Sequence, residues 1–204
     1  NTKNPFIIII DEWDCVFREY RENSSAQERY LDFLRDILKD KSYIQLVYMT
    51  GILPIKKYGT HSALNMFSEF SMTNPRQLSE YVGFTEAEVK DLCVRYGMSV
   101  VELKEWYDGY QFANTISIYS PKSVIEALMS GVCDNYWNQT ETFEALRIYI
   151  DMNFDGLKED VLSMMAGQMV PVNVGSFAND MTSFQTKDDV LTLLIHLGYL
   201  GYDY

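Results

Sequence analysis

Residues 6–10 read Phe-Ile-Ile-Ile-Ile and stop at Asp11-Glu12-Trp13-Asp14. An unbroken apolar, β-branched run is the pattern of a strand covered on both faces inside a parallel sheet, because a half-exposed strand would alternate. Parallel strands cannot be joined by a tight turn, so a helical crossover has to follow. The sequence supplies one. Asn23-Ser24 with Gln27 reads as a helix start, and Tyr30, Leu31, Leu34, Ile37 and Leu38 fall on one helical face. Residues 43–49 then read as a second buried strand, ending at Thr50-Gly51. Crossovers of this kind are right-handed, so Asp11 and Thr50 are expected together at the carboxyl edge of one sheet, where α/β proteins bind ligands. A shorter strand is expected at 69–72, after a loop holding Pro54, Lys56, Lys57 and Gly59.

From Thr85 the texture changes to short helices with readable ends. Thr85 and Glu88 form a capping box ahead of Val89, Leu92, Cys93 and Tyr96, and Gly97 supplies the stop. Ser99 and Glu102 repeat the device ahead of Leu103, Trp106 and Tyr107, with Gly109 after them. Ser120-Pro121 opens a third helix that closes at Gly131. Beyond Asp151 come an amphipathic stretch around Leu157, Val161, Leu162 and Met165, a loop rich in Gly, Pro, Ser and Asn, a helix over 186–197, and a strand-like end at 199–202. The expected architecture is therefore α/β: residues 1–80 as the carboxyl-side part of a P-loop NTPase parallel sheet, 81–150 as a mainly helical lid, and 151–204 as a small winged-helix-like module.

Bulk properties narrow the function classes. The 204 residues are 47% apolar, enough for a sizeable core, and the formal charge of −12 with no Lys/Arg cluster disfavours a nucleic-acid backbone as partner. Cys15, Cys93 and Cys133 are far apart in sequence, and His61 and His196 have no partner at metal-ligand spacing. The cysteines read as buried thiols of a reducing compartment. No apolar run approaches the roughly twenty residues of a membrane helix, so a cytoplasmic protein is expected and the sequon at Asn138 is discounted. The chain opens at Asn1 almost directly into the first strand, as the interior of a longer protein would.

The chemistry concentrates at the strand ends. A buried strand that exits into Asp-Glu is the Walker B arrangement of nucleotide hydrolysis, in which one carboxylate holds the waters of Mg²⁺ and a second orients and deprotonates the attacking water. Asp11 suits the metal and Glu12 the base; Thr50, at the next strand tip, suits a sensor of the attacking water or γ-phosphate. Asp11-Glu12-Trp13-Asp14 also spells the acidic motif of superfamily-two helicases, but the element after the next strand is Met49-Thr50-Gly51 rather than Ser-Ala-Thr, and the acidic surface is wrong for a duplex. A two-metal nuclease site on Asp11, Glu12 and Asp14 lacks a nearby lysine or histidine. Successive residues at a strand end also point to opposite sides, so chelation by Asp11 and Glu12 would need a tight turn.

Residues 7–14, Thr50-Gly51, 82–89, the run Leu103-Lys104-Glu105-Trp106-Tyr107-Asp108-Gly109-Tyr110-Gln111-Phe112, 118–121, Tyr136-Trp137 with Thr140, and 194–200 together resemble the bacterial AAA-ATPase-like family. The resemblance covers almost the whole chain, and Trp106 to Tyr110 is its most specific element. It implies a P-loop ATPase that binds ATP with Mg²⁺, often fused to a PD-(D/E)XK nuclease-superfamily domain. Members of that family begin with a Walker A loop of Gly-Lys-Ser/Thr type. No Gly-x-x-x-x-Gly-Lys occurs here, so these 204 residues are expected to be inactive alone, with nucleotide binding belonging to a full-length parent. The competing class is a non-catalytic protein-interaction module that keeps the fold. Trp106, Tyr107, Tyr110 and Phe112 read as packing rather than a ligand platform, Asp108-Gly109 as a turn, and Lys56 and Lys57 as a solvated loop.

Overall fold

The computed structural model describes residues 4–20, 22–52, 64–112, 115–136, 153–177, 184 and 186–203. Pro54, Lys56, Lys57, Gly59, His61, Trp137, Asn138 and Thr140 lie outside the described residues. The architecture is mixed α/β with two small sheets. The chain divides into two compact units, Asn1–Glu69 with Ala178–Phe184, and Phe70–Phe177 with Gln185–Tyr204.

In the first unit, strand β1 (Phe6–Ile10) leads through a short helix α1 (Cys15–Glu19) and a longer one, α2 (Ser24–Leu38), into strand β2 (Ile44–Met49). The Asn23 side chain caps α2 by accepting the Ala26 amide at 3.0 Å. β1 and β2 pair in parallel, with Ile7 opposite Leu46, Ile9 opposite Tyr48 and Ile10 opposite Met49. This is the strand–helix–strand unit that the apolar run demands. Leu31, Leu34 and Leu38 of α2 are buried with Trp13, Phe17 and Leu64, and Ile8, Ile10, Val47 and Met49 pack against that cluster. Each leucine so buried contributes about 1.5–3 kcal/mol.

The opposite face departs from expectation. Ile7, Ile9, Leu46 and Tyr48 are 62%, 72%, 54% and 52% exposed, so β1 and β2 are covered on one face rather than two among the described residues. The reason is geometric: period-2 strands present two faces, and the crossover through α1 and α2 covers one.

In the second unit the strand expected at 69–72 is not formed. Ser71 and Asn74 make an isolated antiparallel bridge, and a 3₁₀ turn, Arg76–Tyr81, follows. Next come β3 (Phe84–Thr85), α3 (Glu86–Tyr96), α4 (Val100–Tyr107), β4 (Asp108–Phe112), β5 (Thr115–Tyr119) and α5 (Pro121–Ser130). Helix α6 (Leu157–Met165), helix α7 (Lys187–His196) and strand β6 (Tyr202–Asp203) complete it. Thr85 and Glu88 close the capping box as read, and Gly97 and Gly131 take left-handed φ values of 71° and 73°; at Ser99 only half of the expected box forms, its side chain accepting from the Glu102 amide.

Residues 108–119, expected within a helical lid, instead supply two strands of a four-stranded sheet ordered β3-β5-β4-β6. The local period explains this, since Tyr110 and Phe112 are buried while Gln111 between them is exposed, an alternation that no helix produces. β5 runs antiparallel to β3 and β4, and β6 runs parallel to β4. At the β4–β6 contact, a Cβ on Gly201 would lie 2.4 Å from the Gly109 carbonyl oxygen, so both backbones touch and glycine is required there.

The aromatic group is packing, as read. Tyr107, Tyr110 and Phe112 are buried and Trp106 is half-exposed. The Tyr110 hydroxyl donates to the Ile195 carbonyl at the end of α7 (2.7 Å), and the Tyr107 hydroxyl both donates to and accepts from the Asp134 backbone at 2.9 Å. Asp108 opens β4 and accepts from the Ser117 hydroxyl at 2.9 Å; burial pushes its carboxyl above the usual range.

Candidate functional site

Asp11 and Thr50 follow directly on β1 and β2, and the parallel pairing brings them together as the crossover rule requires. The ladder runs past both strand ends: the Thr50 amide donates to the Ile10 carbonyl and the Trp13 amide to the Thr50 carbonyl, each at 2.9 Å. At that tip the Thr50 hydroxyl donates to Asp11 Oδ1. Two distant residues thus meet side chain to side chain at one sheet edge.

Glu12 turns the chain sharply. Its φ of 51° places a non-glycine residue in the left-handed region, a sparsely used conformation that persists where neighbouring contacts hold it. Here its amide donates to Asp11 Oδ1 at 3.0 Å. Asp11 Oδ1 therefore takes two donors, the Thr50 hydroxyl and the Glu12 amide, while Oδ2 has no hydrogen bond among the described residues. The tight turn that shared chelation would need is present. Asp14, however, which the nuclease alternative required as a third ligand, is fully buried and paired with Arg18.

The Glu12 carboxylate is engaged as well. Arg18 on α1 places Nη2 2.9 Å from Glu12 Oε2 and Nε 3.3 Å from Asp14 Oδ2. Sequence reasoning assigned Arg18 nothing. Its spacing four residues after Asp14 on a helix is the signal that would have found it.

Trp13 and Asp14 are buried beneath the tip, and Gly51 is what lets them in. A Cβ on Gly51 would sit 2.6 Å from Trp13 Cδ1 and 2.8 Å from Asp14 Oδ1. Neither neighbour is a flexible side-chain end, so Gly51→Ala is expected to destabilise the first unit by about 1–3 kcal/mol, the usual range for overpacking. Denaturant unfolding followed by tryptophan fluorescence measures this, and a midpoint equal to wild type would show that the tip can shift freely.

Magnesium in nucleotide sites keeps several waters and is held by one or two carboxylates plus phosphates, not by an all-protein cage. The donor set at the tip has that chemistry: an exposed Asp11 with one oxygen fixed by two donors and the other open, beside a hydroxyl. No cluster of three or more His, Cys, Asp or Glu suited to a closed metal site occurs among the described residues. No helix of the described residues is long and apolar enough to cross a membrane. Comparisons with protein-family models, with curated proteins and with solved structures found no match.

Proposed function

We propose that this chain carries the Walker B and sensor strands of a P-loop ATPase, within the bacterial AAA-ATPase-like group that its motifs resemble, with the nucleotide phosphates held by a loop that these 204 residues do not contain. The observation that carries the reading is the juxtaposition of Asp11 and Thr50 on adjacent parallel strand ends, with Glu12 turned beside them. The exposed apolar side chains Ile7, Ile9, Leu46 and Tyr48, on a face that no described residue covers, support it, because a parallel sheet is ordinarily covered on both faces. In the same reading the helices of the second unit act as a lid, and the segment beyond residue 151 as its winged-helix-like end.

The chain's own residues divide the work. Asp11, through the open Oδ2, would hold Mg²⁺ by way of a water ligand, and the ion when bound would supply charge neutralisation at the phosphates. Glu12 takes the proton of the attacking water as its oxygen bonds to the γ-phosphorus; the bond to the β,γ-bridging oxygen breaks, and ADP leaves with that electron pair. The Thr50 hydroxyl donates a hydrogen bond to Asp11, so its oxygen is free to accept a hydrogen bond from the water's second proton. The test is magnesium dependence in the full-length protein. Asp11→Asn should raise the Mg²⁺ concentration for half-maximal phosphate release on the order of tenfold, consistent with loss of a carboxylate near a hard cation. An unchanged requirement removes Asp11 from the metal.

A second reading is supported by one observation, the Arg18–Glu12 ion pair, which commits the proposed base to a cation. On that reading the unit is a non-catalytic protein-interaction module that kept an ATPase-like fold, with the open apolar face as its contact surface. A protein partner is then its ligand. The two readings separate on turnover by the full-length protein.

A further inference from the structure

The three charged groups beside the strand tip form a chain of contacts. Asp14 is fully buried, Arg18 is 28% exposed, and Glu12 is 66% exposed. Asp14 forms an ion pair with the guanidinium on its buried side, Oδ2 lying 3.3 Å from Nε, and Nη2 meets Glu12 on the outer side. The pair lies at the solvent boundary, where an ion pair adds little to stability. What the contact does fix is geometry. Glu12 is held at its backbone by the Asp11 carboxylate and at its far end by Arg18, which together confine a side chain that would otherwise sample many rotamers.

Only Oε2 of Glu12 is engaged; among the described residues Oε1 accepts no hydrogen bond. We propose that Arg18 is a positioning residue, holding the Glu12 carboxylate by Oε2 so that Oε1 is the oxygen that receives the proton of the attacking water. This rests on the ATPase reading above and adds a residue to it. Asp14 supplies a buried counter-charge to the guanidinium, and the missing Cβ of Gly51 leaves room for Asp14. The water's proton ends on Oε1, Oε2 stays with Arg18, and no other group changes charge on the protein.

The experiment uses the full-length protein with ATP and Mg²⁺ and compares wild type, Arg18→Gln, Arg18→Lys, Glu12→Gln and the double variant Glu12→Gln/Arg18→Gln. Arg18→Gln should lower kcat on the order of tenfold to a hundredfold, the scale on which a small misplacement of a catalytic group acts. The KM for ATP, and ATP affinity by calorimetry, should stay within about twofold, because Arg18 acts through Glu12 and not on the phosphates. Arg18→Lys should recover part of the loss, as one ammonium keeps the charge but cannot reach both carboxylates with a fork. The double variant should be no slower than Glu12→Gln, since the two act as one unit.

A kcat equal to wild type in Arg18→Gln reduces the contact to a structural tie and overturns the proposal. A faster kcat overturns it in favour of a restraint that holds the base back. If Arg18→Gln does not fold, Arg18→Lys carries the same test, with kcat below wild type at unchanged KM expected. If the protein hydrolyses no ATP, or Glu12→Gln leaves turnover within a few-fold of wild type, the ATPase reading fails and the positioning role falls with it. A large effect of Glu12→Gln with none at Arg18 overturns the positioning role alone.

Discussion

In the full-length protein, Glu12→Gln should retain nucleotide binding and lose turnover on the order of a hundredfold or more, the usual scale for removing a positioned base. The amide keeps the shape of the side chain and can still meet Arg18 through its oxygen, so the left-handed turn and the Asp11–Thr50 contact should survive. What is removed is the capacity to take a proton. Phosphate release and calorimetric ATP binding measure the two halves separately. A rate within a few-fold of wild type would take the base role from Glu12. Equal loss of binding and rate would indicate damage to the fold at the strand tip.

The second large effect is on stability and belongs to His196. The ring lies at the end of α7, 5.6 Å from the Phe177 ring, and burial lowers its pKa from 6.5 to about 4. The folded form therefore releases a proton that the unfolded chain holds. Stability is full above about pH 6.5 and falls as pH drops toward about 4, where both states are protonated and the loss levels off. The interval corresponds to roughly 3 kcal/mol. Asp108 acts in the opposite sense, because burial raises its carboxyl pKa and its ionised form is the one the fold disfavours. Comparing wild type with His196→Phe cancels that and every other shared titration. Denaturant unfolding of the second unit between pH 7 and 4 should show a wild-type decline that His196→Phe lacks. Coincident pH profiles would mean the ring is solvated.

Much of the first unit was legible because three independent signals agree there. The apolar run at 6–10, the Asn23 cap with its one-sided leucine face, and the second run ending at Thr50 each require the others once the sheet is parallel. The meeting of Asp11 with Thr50 follows from that topology without any motif. Coverage was not legible. An apolar strand announces that both faces can be buried, but not which partner buries them; among the described residues α2, with Trp13, Phe17 and Leu64, covers one face. The β4–β5 pair was masked by its neighbour: Leu103, Trp106 and Tyr107 carry a helical period right up to Asp108, where the period switches to two within a single residue. At the site, the Arg18–Asp14 spacing was readable on a helix, whereas the left-handed turn at Glu12 and the close approach of Gly51 to Trp13 and Asp14 were not, because no propensity assigns that conformation to glutamate and the approach is tertiary.

On the ATPase reading a nucleotide-bound metal sits at Asp11, beside Glu12 and Thr50. Paramagnetic broadening reports this directly: Mn²⁺ replaces Mg²⁺ in the full-length protein with ATP, and amide signals are followed residue by residue. Broadening is expected to centre on Asp11, Glu12, Thr50 and Gly51, to depend on ATP and to diminish in Asp11→Asn. Broadening that is absent at these four amides, or that persists unchanged in Asp11→Asn, would contradict it.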